Sequence, residues 1–380
     1  MPKTVLTTHT APGASRGGRV KALPDQMRQH NRALVLTALF HDGAMSRADL
    51  ARTTGLTRVT ISALVGDLVA AGFVREQGAR EASGPGKPAV VVDLDRTGLT
   101  IIGVDLSGSH EIRGAVLDLA GTVLNRANIA RPADGDAAET LAILERVIGA
   151  LRDSATGRVL GVGVGTPGIV SDTGVVVASP DIGWHDLPLQ ESLRKLTGLP
   201  VYVANDADVA TLAERTLGGA GENFMLLKID RGVGGGVVVR GELARGSRYA
   251  AGEIGHVTVG TDAGRRCACG RRGCLETWAS VRTIETRISD GEPTDQVLRE
   301  AGERLSIAIA PVVGALDLSE VVLSGPVQHL DGLLRDTAEQ TLRDRVFLHD
   351  DVEVRMSSLG EDVVLLGATA MLLHGELGIT

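Results

Sequence analysis

The chain has 380 residues, room for two or three domains and for a core that needs no disulfide staple. Two Trp, two Tyr and four Phe argue against single-stranded nucleic-acid binding by base stacking, and three Cys, an odd count, argue against a disulfide framework. The net charge of −8 divides into +6 over residues 1–92 and −14 over the rest, so only the front suits a polyanion, although a solvated tail at Arg16, Arg19 and Lys21 explains that charge equally well. The first 25 residues hold no apolar signal-peptide core. The longest apolar run, near Val363–Leu373, contains Gly367 and is shorter than the roughly 20 residues a bilayer requires. The expectation is a soluble cytoplasmic protein.

Residues 1–22, rich in Thr, Gly, Ala and Pro, read as a flexible arm. Leu34, Val35, Ala38 and Leu39 recur at helical spacing between Gln26 and His41, and Gly43 ends that helix. Ser46-Arg-Ala-Asp49 has the form of a capping box opening a short helix that stops at Gly55. Thr57 can cap a third helix to about Ala71, with Ile61, Leu64, Val65 and Leu68 on its buried side. Strands at Phe73–Glu76 and Ala89–Asp93 flank a basic turn-rich loop, Gly78–Pro88. This order is that of a winged helix-turn-helix, and equally of a three-helix bundle with a hairpin; the basic front favours the DNA-binding version. Thr57, Arg58, Val59, Thr60 and Ala63 then face DNA, with Arg80 and Lys87 on the wing.

From Leu99 onward strands and helices repeat. Strands are expected at Thr100–Asp105, Glu111–Asp118, Val159–Gly165 and Val201–Ala204, and helices at Ala138–Ser154, Leu189–Thr197 and Asp206–Thr216. A hairpin follows at Phe224–Ile229 and Gly234–Arg240. The pattern is α/β. The strand–turn–strand units at Asp105 and Asp230 look alike, which suggests two related lobes.

His256, Cys267, Cys269 and Cys274 form H-x10-C-x-C-x4-C, with every cysteine of the chain inside eight residues. Three thiolates and an imidazole make a closed tetrahedral zinc set, structural because no position stays open; free thiols beside an unrelated His are the alternative. Asn205-Asp206 follows an apolar strand and opens a helix, a placement suited to meeting a ligand. Glu253 and Glu276 flank the cysteine segment, and each acid taken alone reads equally as a surface charge. The glycine-rich turns Asp105-Leu-Ser-Gly-Ser109 and Asp230-Arg-Gly-Val-Gly-Gly-Gly236 can cradle phosphate or simply pack tightly.

Together these residues resemble the ROK family of repressors, open reading frames and sugar kinases. The strongest part is Ala251-Gly-Glu-Ile-Gly-His256 followed by Cys267-Ala-Cys-Gly-Arg-Arg-Gly-Cys-Leu-Glu276, supported by Gly165-Thr-Pro-Gly168, Gly183-Trp184, Asn205-Asp206 and Leu323-Ser-Gly325. The resemblance implies a winged helix followed by a two-lobed, actin-like domain. Its boundaries would be 23–95 for the winged helix, 96–204 plus 361–380 for the first lobe, and 205–360 for the second. It implies that Asn205, Asp206, Glu253, His256 and Glu276 hold a sugar, with His256 also on zinc. Asp206 stands where the family's kinases have their base. The wing sequence Gly84-Pro-Gly-Lys-Pro88 resembles the regulator branch.

The phosphate turns depart from the kinase pattern. D-x-G-G-T-K is replaced by Asp105-Leu-Ser107-Gly108-Ser109-His110, and G-T-G by Asp230-Arg231-Gly232. The expected function is therefore a sugar-responsive, DNA-binding repressor of carbohydrate uptake or catabolism genes. It would act as a homodimer on an operator and answer to a sugar or sugar phosphate, without catalysis. The alternative is an ATP-dependent sugar kinase with an added DNA-binding domain.

Overall fold

The computed structural model describes residues 24–79, 90–108, 110–132, 136–180, 182–260, 264–347 and 351–379. The arm 1–22, the wing residues Arg80, Gly84–Pro88 with Lys87, and Ser109 lie outside them.

The N-terminal unit has helices Pro24–Asp42, Arg47–Thr54 and Arg58–Ala70. Ser46 caps the second helix through the expected reciprocal bonds with Asp49, and Gly55 ends it at φ 71°. Thr57 caps the third by accepting from the Thr60 N–H at 3.2 Å. The wing has three strands rather than two. Val90–Leu94 pairs with Val74–Ala79 and also with Met45–Ser46, a pair too short to leave a period in the sequence.

Two five-stranded sheets follow. The first runs Val201–Asn205, Arg158–Thr166, Leu99–Asp105, Glu111–Asp118, Val123–Ala130. The second runs Glu353–Met356, Glu320–Ser324, Phe224–Ile229, Val233–Val239, Glu242–Leu243. Numbered within its own lobe, each sheet has the order 5-4-1-2-3, with strands 1, 2 and 3 antiparallel and strands 1, 4 and 5 parallel. The likeness between the Asp105 and Asp230 units is thus a repeat of whole sheets. A small sheet, Ile169–Val170, Val176–Ser179 and Trp184–Leu187, is inserted in the first lobe.

Helix Ala137–Ser154 covers one face of the first sheet, burying Leu144, Val147 and Leu151 in one cluster with Ile102, Val104 and Val164. The apolar run at the C-terminus becomes helix Val363–Leu372, buried almost all round, as a helix without a polar face must be. It packs on strands Leu99–Asp105 and Arg158–Thr166 and crosses helix Asp206–Thr216. That crossing needs glycine: a Cβ on Gly367 would lie 2.1 Å from the Val209 carbonyl oxygen.

The chain then makes a π-helical turn, Leu373–Leu377, against the first helix of the N-terminal unit. Leu373, Leu377 and Ile379 share one buried cluster with Val35, Leu36 and Leu39. Arg158 donates to the Ala71 carbonyl at 2.7 Å and lies 4.7 Å from the Phe73 ring centre, which Arg32 also approaches at 4.5 Å. Arg96 donates to the Leu39 and Phe40 carbonyls at 2.9 Å each. The winged helix is therefore seated on the first lobe and the C-terminal turn.

Candidate effector site, metal cluster and DNA-facing helix

Strand Val201–Asn205 runs directly into helix Asp206–Thr216, and Asn205 is the cap. Its Oδ1 accepts from the Ala207 and Asp208 N–H groups at 2.8 and 3.2 Å, and its Nδ2 donates to the Gly168 carbonyl at 2.8 Å. Most of the Asn205 amide thus serves the fold, leaving one N–H for a ligand. Asp206 is released from capping. Its Oδ2 meets Lys228 Nζ at 2.9 Å.

Glu253 opens the short 3-10 turn Ile254–His256. Burial raises its pKa, the neighbouring Asp206 and Glu276 add to the rise, and His256 opposes it. Glu276 begins helix Glu276–Ala279 and reaches two ways. Its Oε1 lies 3.5 Å from Cys267 Sγ, and its Oε2 faces the turn at Gly232, where a Cβ would stand 2.9 Å away. Asp206, Glu253, His256 and Glu276 thus form one cluster, with Asn205 at its edge.

Two members of this site were not foreseen. Asp208, in the first turn of helix Asp206–Thr216, is pushed up to about 7 by burial, with Asp206 and Glu253 adding and Arg245 opposing. Lys228 is the other; its signal was a lone Lys in the apolar strand Phe-Met-Leu-Leu-Lys-Ile. Burial acts to lower the pKa of Lys228, but Asp206, Asp105 and Asp230 outweigh it and the pKa is raised, so the ammonium persists. Across the cleft, Tyr249 donates to Asp172 at 3.1 Å and ties a second-lobe loop to the small sheet of the first.

A cavity of about 410 Å³ lies beside this cluster and shares Lys228 with it. The turns at Ser107–Gly108 and Asp230–Arg231 face each other across it, with Ser324 and Val363 among its walls. Asp105 beneath the first turn is fully buried and already engaged. It accepts from Ser107 N at 2.8 Å, Ser107 Oγ at 2.6 Å and Arg113 Nη2 at 2.6 Å.

The donor atoms of His256, Cys267, Cys269 and Cys274 all lie within 4.8 Å of one another. His256 Nδ1 is 3.5 Å from Cys267 Sγ, and the Cys269 and Cys274 sulfurs are 3.6 Å apart. Tetrahedral zinc with Zn–S near 2.3 Å holds its ligands at about that separation, so this donor set fits the ion. The bridges Thr258↔Cys274 and Arg266↔Arg272 fold the loop back on itself, with Cys267 N donating to Arg271 O at 2.9 Å.

On helix Arg58–Ala70, Ile61, Leu64, Val65 and Leu68 are buried, as the spacing requires. Arg58 and Ala63 are exposed, and Val59 is 81% exposed, an apolar side chain held out into solvent. Thr60 is half-buried, its hydroxyl 2.9 Å from that of Thr57. Ser62 also lies on this outward side, which the sequence reading passed over.

Residues 101–375 match the ROK family, and residues 44–74 match the crp family of bacterial regulatory proteins. A xylose repressor of Caldicellulosiruptor bescii is 26% identical, with 92% of this chain and 97% of that protein aligned. A glucokinase of Halalkalibacterium halodurans is 31% identical over 70% of this chain and 92% of its own length. The crystal structure of a ROK family transcriptional regulator, a homolog of the E. coli MLC protein, superposes with a TM-score of 0.80 and 28% identity, covering 91% of this chain and 96% of that one. With winged helix, paired sheets and cysteine knuckle in one continuous match, the chain belongs to the ROK family.

Proposed function

We propose that the protein is a sugar-responsive transcriptional repressor of carbohydrate uptake or catabolism genes. The observation that carries this is the alignment of more than nine-tenths of the chain with proteins named as repressors and with a regulator structure. We divide the chain into a winged helix at 23–95, a first lobe at 96–204 plus 361–380, and a second lobe at 205–360. In this reading helix Arg58–Ala70 enters the major groove. Arg58 pairs with a guanine edge or phosphate, and Val59 touches a thymine methyl. Thr57, Thr60 and Ala63 lie alongside, and Arg80 and Lys87 add wing contacts. A cytoplasmic homodimer would place two such helices on successive half-sites.

Asp206, Glu253, Glu276, His256 and the remaining Asn205 N–H would hold the sugar. Zinc would be held by His256, Cys267, Cys269 and Cys274 and would fix the loop that carries Glu276. A sugar can release DNA only through different affinities for two arrangements of the lobes. Footprinting on the DNA upstream of the gene, with and without monosaccharides, tests the reading. Protection relieved by a sugar supports it, and no protected site contradicts it.

The kinase reading keeps one observation in its favour, the carboxylate of Asp206 beside a cleft in a chain 31% identical to a glucokinase. Against it, Lys228 pairs with Oδ2 of that carboxylate and Arg113 pairs with Asp105. Phosphoryl transfer depends on positioning and charge stabilisation, which these pairings divert. A coupled assay on common hexoses with ATP should show no turnover.

A further inference from the structure

Two rods run from the cleft toward the winged helix. Strand Val201–Asn205 ends at the cleft, where Asp206 opens the next helix. Helix Val363–Leu372 starts there, with Val363 and Val364 on the cavity wall, and continues into the π turn Leu373–Leu377. One side chain pins their far ends together. Tyr202 stands four residues before Asp206, about 13 Å along an extended strand. It donates its hydroxyl proton to Glu376 Oε1 at 2.8 Å. Its ring lies over Gly375, where a Cβ would stand 2.5 Å from the hydroxyl oxygen. Burial and the bond to Glu376 push Tyr202 up to about 12, so the hydroxyl remains a donor near neutral pH.

The winged helix rests on this same turn. Leu373, Leu377 and Ile379 share a cluster with Val35, Leu36 and Leu39, and a Cβ on Gly378, at φ 66°, would lie 2.8 Å from Ala33 Cβ. Arg32 is in the same helix, and its buried Nε has no partner among the described residues. Burial lowers the Arg32 pKa, Glu376 opposes that fall, and Arg158 adds to it. Glu376 thus faces both ways, accepting from a tyrosine of the first lobe and offsetting a guanidinium of the winged helix. A π turn holds one residue more than the α-helix it continues. Expelling that residue would rotate Leu377 and Ile379 by about 100° and carry them off the first helix.

We propose that the Tyr202–Glu376 bond is the switch between the sugar site and the winged helix: it holds the seated, operator-binding form, and sugar at Asp206 breaks it. The proposal rests on the sugar-sensing repressor reading above and names the regulation of that same site. Sugar hydroxyls gathered by Asp206 draw on the end of the strand that carries Tyr202. Loss of the bond frees the turn, and the first helix loses its apolar seat together with the anion facing Arg32. Sugar and operator then favour opposite states of one bond, so each must weaken the other by the same factor.

The test is operator binding by fluorescence anisotropy and sugar binding by calorimetry on the full chain, with glucose, mannose, xylose and N-acetylglucosamine as probes. A probe that binds the wild type should weaken its operator binding by about 5–150-fold, the usual span of allosteric coupling. Tyr202→Phe keeps the ring over Gly375 and removes only the hydroxyl. It should weaken sugar-free operator binding by about fivefold or more, bind sugar at least as tightly as the wild type, and show release below about threefold. The opposite signs are the signature, because a tyrosine that merely props the fold would weaken both ligands or shift neither. Glu376→Gln keeps an acceptor and loses the charge, so its release should fall between the two. A wild-type release factor in both variants, or sugar and operator weakened together in Tyr202→Phe, would overturn the inference while leaving sugar sensing intact. No binding of any probe to the wild type, or binding without release, would overturn both the inference and the sensing reading.

Discussion

The two lobes share one sheet order, yet they are put to different uses. The first lobe spends its surface on the winged helix. Arg158 at the start of its fourth strand holds the Ala71 carbonyl, and Tyr202 on its fifth donates to Glu376 of the C-terminal π turn at 2.8 Å. The second lobe inserts the cysteine knuckle after its hairpin and supplies Lys228, Glu253 and Glu276 to the cleft. In the proposed reading, sensing chemistry and DNA docking sit on separate copies of one scaffold. Helices Asp206–Thr216 and Val363–Leu372, packed on each other, join them.

If that division is right, damage to the two lobes should have different consequences. The largest effect is expected at the knuckle. Protein purified without chelator should carry about one zinc per chain, and Cys269→Ser should lose it. Structural zinc contributes about 10–16 kcal/mol in isolated finger peptides, but here the loss should disorder the loop and abolish the sugar response while operator binding persists. Elemental analysis finding no zinc in the wild type would remove this half of the contrast.

The joint between the lobes comes next. Gly367→Ala drives a Cβ into the Val209 carbonyl, where neither backbone can yield cheaply. Overpacking of this kind costs about 3 kcal/mol, and urea unfolding should register it as a shifted midpoint. A change below about 0.5 kcal/mol would mean that the two helices can slide apart at will.

Asp208 gives a pH signature of similar or smaller size. Its pKa is raised from 3.8 to about 7 in the folded protein, so the native state holds the proton more tightly than the unfolded chain. The stability this confers is complete below about pH 4 and is lost as pH rises through about 7. Asp208→Asn removes that dependence. Relative to the variant, the wild type should lose roughly 2–4 kcal/mol between the ends of this window. Parallel pH–stability curves for the two proteins would contradict the assignment.

The winged helix and the cleft differed sharply in how much the sequence revealed. Ser46, Asp49, Gly55 and Thr57 act within a few residues of themselves, so capping and helical spacing placed three helices to within two residues at either end. The cysteine knuckle was legible for the same reason. Strand Val123–Ala130 escaped notice because Asn125 and Arg126 interrupt any alternation on what is an edge strand. Arg113–Asp105 escaped because its partners meet by strand pairing, and Lys228–Asp206 because its partners meet by packing of a helix on a sheet, neither of which local patterns encode. Asp208 looked like an ordinary acid in a first helical turn, and only the packing of the second lobe around it buries it.

The smallest effect on stability belongs to Arg58, which is exposed in the first turn of its helix. Arg58→Ala should leave unfolding unchanged within about 0.5 kcal/mol and weaken operator binding by about 1–3 kcal/mol. Unchanged operator affinity would clear Arg58 of any role in recognition.

The central claim is that a sugar bound at Asp206 controls DNA binding by a unit seated on the other lobe. The most direct test titrates operator-bound protein with the sugar that releases it, for the wild type and for Asp206→Asn. Asn205 is the helix cap, so the substitution leaves the helix start intact while removing the charge and one acceptor. The account predicts normal operator affinity and no release from the variant at sugar concentrations that free the wild type. A wild-type release curve from Asp206→Asn would contradict it.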